Sequence, residues 1–209
     1  MKESIKEKME LLVEAGMQCI PVVGSPLASL YFGEKQNKRF KRIENFYKEV
    51  SEELEAVKEK IVPVSSHNEE ELSAILEELN DKVESEHIKL KVELYKNYFK
   101  NTMIYPVNNN YSERKLLLDI IKELSPLEIE LLVFLKQQKE AIINTTITKP
   151  GVEDSIVQGC IAKIKMLGLV SANLNSIVLG GNCGSASEQI KLSSFGEKFH
   201  KFCIEFRVY

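Results

Sequence analysis

The side chains able to do chemistry are few, and their spacing does not gather them. His67, His87 and His200 fall on three different expected elements, with no paired carboxylates in an apolar setting and no Ser or Cys nucleophile context beside any of them. General acid–base or nucleophilic catalysis needs such groups converging, so the chain reads as a non-enzyme. His200 and Cys203 form an H-x-x-C on the last expected helix, with Cys160 or Cys183 available to complete a set. That spacing fits no zinc-finger pattern, and two ligand types one turn apart on a helix arise by chance; packed side chains without a metal are the reading. Gly180 to Gly184 lacks the Gly-Lys-Ser/Thr and the following helix of a phosphate loop. No cofactor and no small-molecule substrate are expected.

What remains is binding. Lys35, Lys38, Arg39, Lys41 and Arg42 crowd the first turns of an expected helix whose later turns carry Glu49, Glu52, Glu53 and Glu55. Cations at a helix N-terminus oppose its dipole, so the cluster is a candidate grip for an anionic lipid, nucleic acid or acidic protein surface. The plainer reading is a solvated face beside acidic neighbours. A second set, Ser155, Gln158, Lys163, Lys165 and Lys191, lies on an expected helix and the hairpin after it. Glu153 and Asp154 lead that helix; they suit its dipole but repel phosphate, which weakens a DNA-contact reading of the set.

The elements that must carry these residues follow from periodicity and punctuation. Ile5, Met9, Leu12, Val13 and Met17 share one side of a first helix, broken by Pro21 and Gly24; Ser25-Pro26 restarts a short one ending at Gly33. From Ala15 to Gly33 there are 19 residues without a charge. Two prolines and three glycines would break the intrahelical hydrogen bonds a bilayer cannot replace. A buried helical hairpin is therefore expected, with a membrane-lying segment as the alternative.

From Glu34 to Ile61, Phe40, Ile43, Tyr47, Val50, Leu54, Val57 and Ile61 recur at alternating intervals of three and four, a heptad stripe. Phe40 through Val57 would form a seam for a helical partner or a second copy. Ser66 to Glu69 reads as a capping box opening the next helix, continuous to about Met103 with a slip in phase at Ser85 to His87. Pro106 and Asn108 to Asn110 mark a boundary. Beyond it a helix opens at Ser112, and Ser125-Pro126-Leu127-Glu128 caps another.

Val152 to Val170 organises the second half. Val152, Ile156, Val157, Cys160, Ile161, Ile164 and Leu167 give the apolar stripe, and Gly168 supplies the left-handed stop. Extended segments on either side of Gly180 to Gly184 then make a hairpin, and Ser193 or Ser194 caps a last helix with Phe195, Phe199, Phe202 and Phe206.

Composition fits a folded chain of 209 residues, 44% hydrophobic and 28% charged, with net charge −3. Through Tyr111 there are 16 basic and 20 acidic residues, and 12 and 11 afterwards, so neither half is basic enough to be a nucleic-acid module by charge. Four scattered cysteines without C-x-x-C and a mixed Lys/Glu start lead us to expect a reduced, cytoplasmic protein, with membrane association as the alternative.

The segments LSPLEIELLVFLKQ, VQGCIAKIKMLGLVS and IKLSSFGEKFHKFC resemble the first helix, third helix plus wing, and post-wing helix of winged-helix domains, though the second helix of the trio is poorly marked between Ala141 and Pro150. IPVVGSPLASLYFG followed by KRFKRIENFYKEVSEELE resembles the N-terminal helical segment of Abi-alpha-like bacterial abortive-infection proteins. The resemblances imply a mainly α chain: a helical bundle or coiled-coil arm over 1–111 and a winged-helix-like α+β domain over 112–209. They also imply an accessory or effector role in antiviral defence through protein docking. A DNA-binding regulator and a membrane-associating effector are the alternatives.

Overall fold

The computed structural model describes residues 33–178 and 185–205. The expectations for the apolar hairpin, for Cys183 and the hairpin tip, and for Phe206 lie outside these residues. The chain is mainly helical with a small three-stranded antiparallel sheet. It divides into two compact units after Lys122, one helix later than the boundary expected at Tyr111.

The first unit holds α1 (Gly33–Glu55), α2 (Glu69–Ser85), α3 (Lys89–Ile104) and α4 (Tyr111–Glu123), the last ending at the division. On α1, Ile43, Phe46, Tyr47, Val50 and Leu54 are buried, the i, i+3, i+4, i+7, i+11 stripe of a core-facing helix. Phe46, Tyr47 and Phe99 meet edge to face, with centroids 5.3 to 6.3 Å apart. The Tyr47 hydroxyl donates to Asn80 Oδ1 at 2.8 Å.

Three expectations here need correction. The α-helix stops at Glu55 instead of Ile61: the backbone tightens to a 3-10 turn over Lys58–Lys60, and before Pro63, which favours extended backbone in the residue preceding it, Val62 N–H pairs with the Met103 carbonyl at 3.0 Å. Asn68, not Ser66, caps α2, its Oδ1 accepting from Glu71 N–H. The slip at Ser85 to His87 is a break between two helices: Glu86 Oε1 accepts from the N–H groups of His87 and Ile88, both at 2.9 Å, meeting donors at the entry to α3.

The second unit runs α5 (Pro126–Gln137), β1 (Ile142–Ile143), a single 3-10 turn Asn144–Thr146, α6 (Asp154–Met166), β2 (Val170–Val178), β3 (Ser185–Leu192) and α7 (Ser194–Phe199), which continues as a π turn His200–Ile204. The expected capping box of α5 is present in both directions, Ser125 Oγ accepting from Glu128 N–H and Glu128 Oε2 from Ser125 N–H. The sheet order is β1-β3-β2, Val170 opposite Leu192 and Leu174 opposite Glu188, with a bulge at Asn175.

Gly168 ends α6 with φ of +74°. Leu169 N–H bonds the Ile164 carbonyl and Gly168 N–H that of Lys165, a complete Schellman motif whose apolar pair, Ile164 and Leu169, is fully buried. Ser193 caps α7, and a Cβ on Gly196 would lie 1.9 Å from the Leu169 carbonyl oxygen. That glycine is what lets α7 seat against the turn.

Candidate docking surface

The structure reassigns most of the residues that sequence spacing singled out. Ile43, Tyr47, Val50, Leu54 and Val57, expected as a seam for a partner helix, are each at most 4% exposed. They pack within their own unit, against α2 and α3. A heptad stripe states that a helix buries one face; it does not state against which chain. The side chains of Phe40 and Lys35 lie outside the described set.

The basic cluster is also partly committed. Arg39 Nη1 pairs with Glu84 Oε1 at 3.1 Å, and Arg42 Nε donates to the Glu84 backbone carbonyl at 2.6 Å. These two arginines therefore tie the start of α1 to the end of α2, where a cation suits the free carbonyls of a helix C-terminus. Lys38 and Lys41 are exposed. Of the expected anion grip, two members are structural ties and two remain at the surface.

The charges of this unit are elsewhere drawn inward. Lys96, 7% exposed, meets Glu93 at 2.7 Å, Glu53 at 3.1 Å and Glu49 at 3.2 Å. Burial disfavours its ammonium, but the three carboxylates outweigh that and raise its pKa. Burial likewise pushes the Glu53 carboxyl up, and Lys100 and Lys96 outweigh it, holding the group below its usual range. Lys82 and Lys115 bridge Glu78 of α2 and Asp119 of α4. Lys91 binds Glu86 and the Lys122 carbonyl. Sequence reading missed these inward lysines, because periodicity assigns every Lys to solvent until a facing helix supplies carboxylates.

In the second unit the expected DNA contacts are largely spoken for. Lys163 Nζ pairs with Glu128 at 3.0 Å and with the Glu123 carbonyl at 2.5 Å, and Lys165 pairs with Glu188. Gln158 exchanges hydrogen bonds with Asn144, and Ser155 Oγ bonds Glu153. Lys191 stays exposed on β3. Five residues that looked like a phosphate-facing set thus present one uncommitted cation, a poor source of counterion release.

The core stripe of α6 is Val157, Ile161 and Ile164, at spacings of four and three. Ile156, expected on that stripe, sits about 100° around the helix and is 51% exposed; Cys160 is half-buried. The opposite face carries Ser155, Ile156, Gly159, Ala162 and Met166, all exposed, with Met166 at 79%. Lys163 also falls on this arc, between Gly159 and Ile156 around the helix, where it is drawn to Glu128; the rest of the face is uncharged and mostly apolar. A Cβ on Gly159 would meet nothing within 4 Å, so the fold does not require a glycine there, although one in a helix interior costs about 1 kcal/mol relative to Ala. The signal was present in sequence: Ile156 and Met166 fall outside the 157-161-164 spacing.

Among the described residues, the groups weighed for metal or catalysis are not gathered into one set. His200 is buried in the π turn, and burial together with Lys136 holds its pKa below the ordinary value. Burial and the nearby Glu128 push the Cys160 thiol up, the reverse of a nucleophile's activation. Among the described residues no three His, Cys, Asp or Glu side chains are grouped to hold a metal. Among them, too, no helix is long and apolar enough to cross a membrane. No family model, characterised protein or solved structure matches the chain.

Proposed function

We propose that this chain is a non-enzymatic protein-interaction module, an accessory or effector subunit of a bacterial antiviral defence system. In this reading the second unit is a winged-helix-like domain: α5, β1, the single 3-10 turn in place of a second helix, α6, and the β2–β3 hairpin as wing. The first unit is a helical bundle closed on its own heptad stripe. The observation that carries the docking reading is the exposed face of α6. A helix that reads DNA presents donors and cations, whereas this one presents Ser155, Ile156, Gly159, Ala162 and Met166, with its lysines paired to Glu128 and Glu188. Exposed apolar side chains around a glycine suit close packing by an apolar helix of another protein. The defence setting rests on the resemblance of the segments around Ile20 to Gly33 and Lys38 to Glu55.

The test is co-expression with the products of neighbouring genes, with and without Met166→Lys and Ile156→Asp. Both changes lie on exposed positions and leave the fold intact, so co-purification should be lost with the circular dichroism spectrum unchanged. Co-purification that survives both changes removes the α6 face from the reading. Retardation of low-salt duplex DNA that is abolished by Lys191→Glu would replace docking with DNA binding.

A further inference from the structure

The sheet order leaves β2 on an edge, and that edge is built unlike most. At nine residues β2 is long for a strand, and from Ser171 to Val178 its backbone pairs only with β3 among the described residues. Free edges of this kind recruit other strands, so proteins usually guard them with charged side chains, Pro, shortness or a bulge. VSANLNSIV contains no charged residue and no Pro. The bulge at Asn175 is its single guard among the described residues, and Asn175 is turned to use there, bonding Ser187 and Gln189 of β3.

In the middle of this edge stands Leu174, 62% exposed, between exposed Asn173 and Asn175. We infer that β2 is a self-pairing edge: a second copy of this chain adds its own β2 antiparallel, with the two-fold axis beside Leu174, and the two sheets become one. The occupant follows from the strand's composition. Like charges directly opposite destabilise a pair, and a strand with none can face itself in any antiparallel register. A two-fold beside Leu174 sets the strand's exposed large apolar side chain against its own copy, a cross-strand contact that shields both. The unit bearing the edge has eight basic and nine acidic residues over 123–205, so two copies approach without long-range repulsion. Two-fold, isologous contacts are also the commonest way identical chains close on one another.

This inference rests on the proposed function only in taking association as the chain's work, and its test separates the two. Sedimentation velocity on the full chain at micromolar concentration is expected to give a dimer, and Leu174→Lys a monomer with an unchanged circular dichroism spectrum. With Cys19→Ser and Cys183→Ser together as parent, Leu174→Cys should yield a disulfide-linked dimer under mild oxidation while the parent gives none, because a 174–174 link needs Cα atoms within about 7 Å. A monomeric wild type, a dimer that persists in Leu174→Lys, or a dimer without the 174–174 link overturns the pairing. Gene-neighbour capture retained by the Leu174→Lys monomer would leave the α6 docking reading standing, and a dimer that survives Met166→Lys while capture fails would separate the two surfaces in the other direction.

Discussion

Gly159→Ala separates what the α6 face does for the fold from what it does for a partner. The residue is exposed in the interior of a 13-residue helix, and an added Cβ meets no atom within 4 Å. No contact is lost and none is strained, so the effect on stability is that of backbone entropy and helix propensity alone. Ala is favoured over Gly at such a site by about 0.5–1 kcal/mol. In a unit of this size that raises the melting temperature by roughly 3 to 6 °C. Differential scanning calorimetry on the full chain reads it directly, as an upward shift of the transition belonging to the second unit. The same methyl sits at the middle of the proposed docking face, where it holds a partner helix further off, so capture should weaken while the fold strengthens. A melting temperature unchanged or lowered would refute the reasoning about the glycine. A stabilised variant that captures its partner as well as wild type would refute the close approach.

Two further outcomes follow from the first unit. Lys96→Met leaves Glu49, Glu53 and Glu93 without their shared cation; breaking a fully buried pair costs about 3–5 kcal/mol, but these carboxylates are 33 to 55% exposed and can hydrate, so about 1–3 kcal/mol is expected. Because the Glu53 pKa is lowered in the fold, its share of stability is present above its ordinary value and lost as pH falls through the folded one; urea titrations should show the Lys96→Met deficit at neutral pH shrinking in acid, and a pH-independent deficit would contradict the ion-pair account. His67 Nδ1 accepts the Val107 N–H at 3.1 Å, and burial with Arg114 nearby lowers its pKa. The folded chain therefore binds fewer protons there than the unfolded chain, and stability should fall as pH drops through about 6.5; His67→Asn should flatten the part of that slope that belongs to the first unit, and an unchanged slope would show that His67 is not the group responsible.

Much of the local chemistry was legible, though the cap of α2 at Asn68 and the Glu86 break were not. Ser125 to Glu128 announces its capping box, Gly168 its left-handed stop, Ser193 or Ser194 the cap of the last helix, and an apolar stripe through Val157, Ile161 and Ile164 the core face of α6, although Ile156 on that stripe is exposed. Helix ends were read less well: α1 gives way after Glu55 to a 3-10 turn over Lys58–Lys60, beyond which Val62 pairs with distant Met103, and α2 parts from α3 where the neighbouring Glu86 carboxylate takes the N–H groups of His87 and Ile88. The surfaces depended on tertiary structure most of all. Heptad spacing determined that α1 buries Ile43 to Leu54, and only the packing of α2 and α3 decided that the chain covers that stripe itself. Lys163 and Lys165 were cations by sequence, and only the approach of Glu128 and Glu188 decided that they are neutralised. A side chain's type fixes what it can bind, while long-range packing fixes whether anything is left over to bind with. Among the described residues, what is left over is a largely apolar helix face and a strand edge guarded by a bulge alone.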